Sequence, residues 1–532
     1  MRPHAVITVA VMSCVLCFCG SLRQNTSRVT LRLAEATTDR ELSGLVRITD
    51  EAGQPVDVKE LLGRETGLKA GVPIAGWRVL PGETTVQLPQ GELTIEAISG
   101  LETETARQAI DLRGKASAEV SIPLVRFADA SSAGYFSGNT HLHLKKLSRP
   151  AAERYLEEVP RGDDLDLVFL SSLERVVDDR EYISNRYTTA DLAALTKRTG
   201  IGFGNGEEHR HNLAGYGQGF GHVMLLNIKR LIQPVSIGPG IMKMGTDGIP
   251  LRRGIDTARD DGATIVWCHN DWGMEDVPNL VTGRLHAQNI FDGGSHGSYK
   301  HSFYRYLNAG YRISFSTGTD WFMYDFSRVY ARVGSAPSVE SWLDALQTGK
   351  TFITNGPLLE FHVERLQPGG TVPLEQAGKV RVRGSASGRA DFGRIEVVFN
   401  GSVVGSAPSR PVGGHFEASL DCDIDCASPG WLALRTPPPP LEDDPSLQEP
   451  VGQNEFGRDL FAHTSPVYVE IAGVSHFDAS VAGELLAEME SNQEFISQNA
   501  NFADSQERER VLDVHRDGIA ALKARLDKQA SP

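Results

Sequence analysis

Early in the chain, apolar residues recur at every second position. Val29, Leu31 and Leu33 alternate with Thr30 and Arg32, and Leu45-Val46-Arg47-Ile48 follows. Period two turns one face of a strand toward a core. Turn chemistry follows: Asp50-Glu51-Ala52-Gly53-Gln54-Pro55, Leu80-Pro81-Gly82 and Leu88-Pro89-Gln90-Gly91. Residues 28–127 are therefore expected to be a small all-β unit. The texture changes near Gly134, and over 134–357 apolar strands alternate with helical stretches. Strands are expected at 165–171, 263–268 and 311–316, and helices at 250–261 and 302–309. Alternating strands and helices imply a parallel sheet or barrel. Residues 358–474 are β-rich again, with strands expected at 380–382, 395–399 and 467–471. Within them 436–458, rich in Pro and acidic residues, is expected to be a long surface loop. Residues 477–529 are charged with helical spacing. Leu485, Leu486 and Met489, then Leu512, Ile519, Leu522 and Leu526, mark amphipathic faces.

Length supports this multidomain plan, since 532 residues exceed a single core. A net charge of −15 repels phosphate backbones, so nucleic acid is not an expected partner. A small-molecule or cell-envelope substrate is. Arg2 and His4 precede an apolar run over 5–19, followed by Gly20 and Ser21. This pattern predicts a secretory signal over 1–21 and an exported protein in the periplasm, in the envelope or outside the cell. The run is short for a membrane span. An uncleaved anchor and a lipoprotein acylated at Cys14 are the alternatives. Of six cysteines, three lie in this segment. Cys422 and Cys426 are expected to form a local disulfide in an oxidising compartment. Cys268 stands in an apolar strand and reads as a core thiol.

The chemistry begins at Gly138-Asn139-Thr140-His141-Leu142-His143. In a strand, residues i and i+2 point the same way, so His141 and His143 are able to meet one ion. Further ligand types fall near the ends of expected strands: Glu208 with Glu207 beside it, His222, His269 and Asp320. In barrels the C-terminal strand ends build the active site. Taken singly, each has an ordinary structural explanation; jointly they point to a metal centre.

Residues 135–143 resemble the opening motif of the PHP-domain metallohydrolases, nearest to the CehA/McbA-type branch. Arg328-Val329-Tyr330, Ser341-Trp342, the run 349–357 and the run 462–469 resemble that branch more specifically. The resemblance covers roughly 134–472. It implies a distorted seven-stranded (β/α)7 barrel over 134–357. Flanking it would be β-sandwich-like domains at 28–127, similar to the carboxypeptidase-regulatory type, and at 358–474, with a helical tail at 477–529. It implies a first metal site of His141, His143, Glu208 and Asp320. A second site would share Glu208 and add His222 and His269. Glu207 is the rival for the bridging role, and His209 and His211 are neighbours able to intrude. The family's third site is missing: Ser171-Ser172-Leu173 and Asp320-Trp321-Phe322 stand where its ligands would be, and Lys145 to Pro150 replace a further histidine. The expectation is a hydrolase with two divalent ions, Zn, Fe or Mn, in which Glu208 and Asp320 carry the catalysis. The bond cleaved would be an ester, amide or carbamate. Asp271 and Arg328 are candidates for supporting roles. The rivals are a phosphoesterase, given Lys145, Lys146, Arg149 and Arg210 nearby, and a non-catalytic exported binding protein.

Overall fold

The computed structural model describes residues 25–175, 182–214, 219–270, 272–294, 297–441 and 451–530. The expected signal segment, Asp271 and residues 442–450 of the acidic loop lie outside them.

Two small sheets form the N-terminal part. Thr26–Glu35 pairs antiparallel with Thr84–Pro89 and parallel with Ser117–Leu124. Gly44–Thr49 lies between Trp77–Leu80 and Glu92–Ile98, and Ala106–Asp111 extends that sheet. The period-two residues Val29, Leu31 and Leu33 meet Val46, Ile48, Ile95 and Ala97 in one buried cluster. Alternation sorts these side chains to one face, while Leu45 and Ile98 on the opposite face are buried in a different cluster.

The middle of the chain builds a curled sheet. Tyr135–His143 pairs parallel with Leu167–Ser172, which pairs parallel with Gly202–His211. Gly221–Leu226 follows antiparallel, and Thr264–Trp267 lies antiparallel to that. Ala287–Asn289 and Ser314–Ser316 continue in parallel. Asp320–Trp321 then pairs with Leu142 and His143 of the first strand, bringing the end of the series beside its start. The reversed strand departs from the all-parallel expectation. Only nine residues, 212–220, separate it from the strand before, and a parallel return needs a crossover of a dozen or more. Helices Arg149–Gly162, Thr189–Thr199 and Leu251–Asp260 cover the sheet.

The ladder does not stop at residue 357. Arg328–Arg332 pairs with the first strand and with Thr351–Thr354, which pairs with Ala462–Thr464. Gly430–Arg435 and Arg394–Phe399 carry the same sheet onward. A second sheet, Leu358–Val363, Gly378–Gly388 and His415–Cys426, packs beside it. Cys422 and Cys426 are free thiols, not a disulfide. Both stand on the strand His415–Cys426. Four residues of strand separate their Cα atoms by about 13 Å, whereas a disulfide needs less than about 7 Å.

The tail forms helices Ala479–Asn499 and Ser505–Ala530. Leu485, Met489, Ile496, Val511, Leu512 and Leu522 are buried in the same cluster as Val277, Leu280 and Trp267. Among the described residues no helix is long and apolar enough to cross a membrane.

Candidate metal centre

His141 and His143 leave the first strand on one face, both fully buried. Their Nε2 atoms lie 2.9 Å apart. His143 Nδ1 donates to the Ser171 carbonyl at 2.8 Å, which leaves its Nε2 lone pair facing the centre. His141 Nδ1 lies 2.7 Å from Asp292 Oδ2, the same arrangement with a carboxylate acceptor. An oriented imidazole of this kind is a pre-set metal ligand. Glu208 Oε2 lies 3.0 Å from His143 Nε2 and 3.8 Å from His141 Nε2. Asp320 Oδ1 is 3.5 Å and 3.6 Å from the same nitrogens. Nitrogens bound to one tetrahedral ion stand about 3.3 Å apart, so these contacts bracket the spacing an ion requires. His141, His143, Glu208 and Asp320 form one buried group able to hold a metal ion.

Glu208, His222 and His269 form a second such group. It meets the other carboxylate oxygen: Oε1 is 2.9 Å from His222 Nδ1 and 3.4 Å from His269 Nε2. His222 reaches the centre from the first turn of the reversed strand. Reversal puts that strand's start beside its neighbours' C-terminal ends, where sequence reasoning looked for strand ends only. His222 Nε2 is held by Asn212 Oδ1 at 3.0 Å. His269 and Asp320 both have positive φ, 61° and 57°. For residues with a Cβ this costs about 1–3 kcal/mol and is found where a site demands it.

Burial and neighbouring charge oppose each other at these groups. Burial opposes charge on His141, yet Asp292 and Asp320 outweigh it and hold its pKa well above the usual value. Burial also opposes the Glu208 carboxylate, but Arg210 and the imidazoles of His141, His143 and His222 keep it well below the usual range. Burial pushes His222 down to about 3, leaving it neutral. Burial raises the Asp320 carboxyl; His141 opposes the shift and Glu208 reinforces it. Without an ion, raised pKa values at His141 and His269 let these imidazoles carry the balancing charge. As metal donors they would be neutral, and the buried carboxylates of Glu208, Asp292 and Asp320 would then face, among the described residues, the guanidinium of Arg210. Buried charge of one sign is costly unless balanced. Asp320 Oδ1 and His222 Nδ1 have no hydrogen-bond partner. Unmet buried acceptors around excess negative charge fit a divalent ion.

The structure separates the rivals for these roles. Glu207 and Glu208 point to opposite faces, as neighbours on a strand must. Glu207 is spent on His209 Nδ1 and the Ile232 amide, at 2.8 and 2.7 Å. His211 pairs with Asp247 at 2.9 Å. Arg328 donates to the carbonyls of Phe326 and Asp163, so it braces loops and does not face the donors. Arg149 is engaged by Glu153 and Asp191. Cys268 is buried, and burial raises its thiol pKa well above the usual value, so it stays protonated. Sequence reasoning missed Asp292, which sits just past the strand Ala287–Asn289. The rule that located Asp320 applies there equally and would have found it.

No family model matches the chain, and no curated protein matches it. Among solved structures, the β-glucuronidase of Parabacteroides merdae is similar over 81% of this chain at 8% identity, with a TM-score of 0.15. The chain spans 61% of that protein's length. A likeness at that level carries no argument about fold or activity.

Proposed function

We propose that this chain is an exported metal-dependent hydrolase of the PHP type. In this reading the curled sheet is its distorted (β/α)7 barrel, and the two donor groups hold a pair of divalent ions, Zn, Fe or Mn. One observation carries the proposal: the two oxygens of Glu208 face two separate sets of imidazoles. A carboxylate is able to serve two cations at once, whereas an imidazole donor nitrogen serves one. Divalent ions held there lower the pKa of water and polarise a carbonyl under attack.

The chain's own residues do the rest. His141 and His143 are fixed in tautomer by Asp292 and the Ser171 carbonyl, so no reorientation is needed before catalysis. With Oδ1 facing the imidazoles, the other oxygen of Asp320, a carboxyl raised in pKa by burial, is left to accept the proton lost by the attacking water. The half-buried rings of Trp321 and Trp272 flank the donors, 5.3 Å from His143 and 4.3 Å from His222 between centroids. They limit bulk water and offer apolar surface to an ester, amide or carbamate.

A second reading, phosphoester hydrolysis, rests on Arg210. Its guanidinium is buried beside Glu208, and its Nη2 has no partner. Lys145 Nζ lies 4.2 Å over the Trp321 ring, adding a second cation near the donors. Guanidinium groups suit phosphate oxygens. The test is elemental analysis of the purified protein, then assays on carboxylic esters, carbamates and phosphoesters. Two ions per chain with turnover of the carbonyl substrates is the expected result. Turnover of phosphoesters alone selects the second reading. Two ions without any turnover make the chain a binding protein, and no bound ion overturns the metal centre itself.

A further inference from the structure

The tail helices reach the candidate centre through a short chain of buried polar groups. His211 ends the strand that carries Glu208, and its ring is fully buried. The Phe220 amide donates to His211 Nδ1 at 3.1 Å. That nitrogen is therefore an acceptor, so Nε2 carries the proton and donates to Asp247 Oδ1 at 2.9 Å. The ring also stacks on Phe220, with centroids 3.6 Å apart. Asp247 Oδ2 accepts from the Asn501 amide at 2.7 Å, and the Asp247 amide donates to the Asn501 carbonyl at 2.8 Å. Asn501 lies in the link between the two tail helices.

The same tail grips a second point. His515 Nε2 donates to the Met274 carbonyl at 2.9 Å. The amides of Met274 and Glu275 donate to the carbonyls of Gly219 and Phe220, at 3.1 and 2.8 Å. Both routes converge on Phe220, two residues before His222. Asn212, next to His211 in the chain, holds the His222 ring at its other nitrogen. Among the described residues nothing comparable ties the tail to His141, His143 or Asp320, whose supports are Asp292, Ser171 and the first strand.

Resting on the metal reading above, we propose that the C-terminal helical hairpin positions the second half of the centre. Asp247, His211 and His515 are its positioning residues. They set the backbone that aims His222 at Glu208 Oε1. The hairpin makes the two ion sites unequal, with the His222–His269 site dependent on the tail and the His141–His143 site independent of it.

The test uses the full chain, stripped of metal and titrated with Zn2+ or Mn2+ by calorimetry. Asp247→Asn preserves volume but presents an amide where a carboxylate accepted two hydrogen bonds. A direct partner of a metal-binding imidazole is worth about 10- to 100-fold in affinity, and Asp247 acts further out, through His211 and Phe220. The expected result is one ion bound as in the wild type and the second weakened by up to about 10-fold. Glu490→Gln, at an exposed pair between the tail helices, should bind both ions normally. If Asp247→Asn folds poorly, His515→Phe keeps the ring but removes the donor to the Met274 carbonyl, with Asp247 and His211 intact, and should give the same split. Two ions bound with wild-type affinity in these variants overturns the proposal, and so does an equal loss of both. A wild-type chain that binds fewer than two ions instead overturns the binuclear reading on which it rests.

Discussion

Glu207 and Glu208 differ by one position and share burial, yet the pleat gives them separate fates. Glu208→Gln keeps the volume and removes the charge that both donor groups share. It is expected to bind fewer than two ions and to lose nearly all hydrolysis, with its circular dichroism unchanged. Glu207→Gln should keep both ions. It weakens the acceptor for His209 and the Ile232 amide, so it should cost about 1–3 kcal/mol in urea unfolding. Elemental analysis of the pair decides, and a metal-poor Glu207→Gln would reverse the assignment. Asp292 touches no other predicted ligand as closely as it touches His141 Nδ1. Asp292→Asn leaves a weaker acceptor there, and about a 10- to 100-fold loss of affinity for the first ion is expected. Competition with a chelator of known affinity measures it.

At the scale of elements, the helix Leu251–Asp260 shows how a remote residue completes a local structure. Its N-cap is Pro250, which offers no side-chain acceptor. Glu275 supplies one, accepting from the Leu251 and Arg252 amides at 3.2 and 3.0 Å. A carboxylate at that end also meets the positive pole of the helix. Burial nonetheless raises the Glu275 pKa to about 7, from 4.5. The folded state thus binds this proton more tightly than the unfolded state does. Stability should fall as pH rises from about 4.5 to about 7 and level off above. Glu275→Gln keeps one of the two acceptor oxygens and removes the titration. The wild type should lose up to about 3 kcal/mol relative to the variant across that window. Urea unfolding of both at pH 5 and pH 8 reads it, and a constant difference would contradict it.

On the scale of the whole molecule, the tail is part of the core. Met489 is fully buried, and its sulfur lies against Gly518, so the two tail helices touch there through a side chain and a bare backbone. Met489→Ala should cost about 2–5 kcal/mol in chemical denaturation. Ending the chain at residue 474 uncovers Val277 and Leu280 and is expected to lower Tm by more than about 10 °C. An unchanged Tm would show the tail to be a mere appendage.

Local pattern made much of this legible. The helix expected over 250–261 is Leu251–Asp260, and the strand expected over 165–171 is Leu167–Ser172. Alternation and amphipathic spacing are properties of a few successive residues, so sequence alone determines them. The His141–His143 pair was legible for the same reason, since two residues apart on a strand means one face. Sequence order also set the reversal of Gly221–Leu226, although its meaning for His222 emerged only from the pairing. Contacts between distant segments were decided by tertiary structure. Which glutamate faces the imidazoles depends on strand register, and Asp292 acquires its role only where the fold brings it 2.7 Å from His141. Cys422 and Cys426 are close in sequence, but an extended strand holds them apart. The tail's two anchoring contacts, Asn501 with Asp247 and His515 with Met274, join residues 254 and 241 positions apart. No local periodicity encodes such a contact, because it exists only once both surfaces are folded and buried against each other.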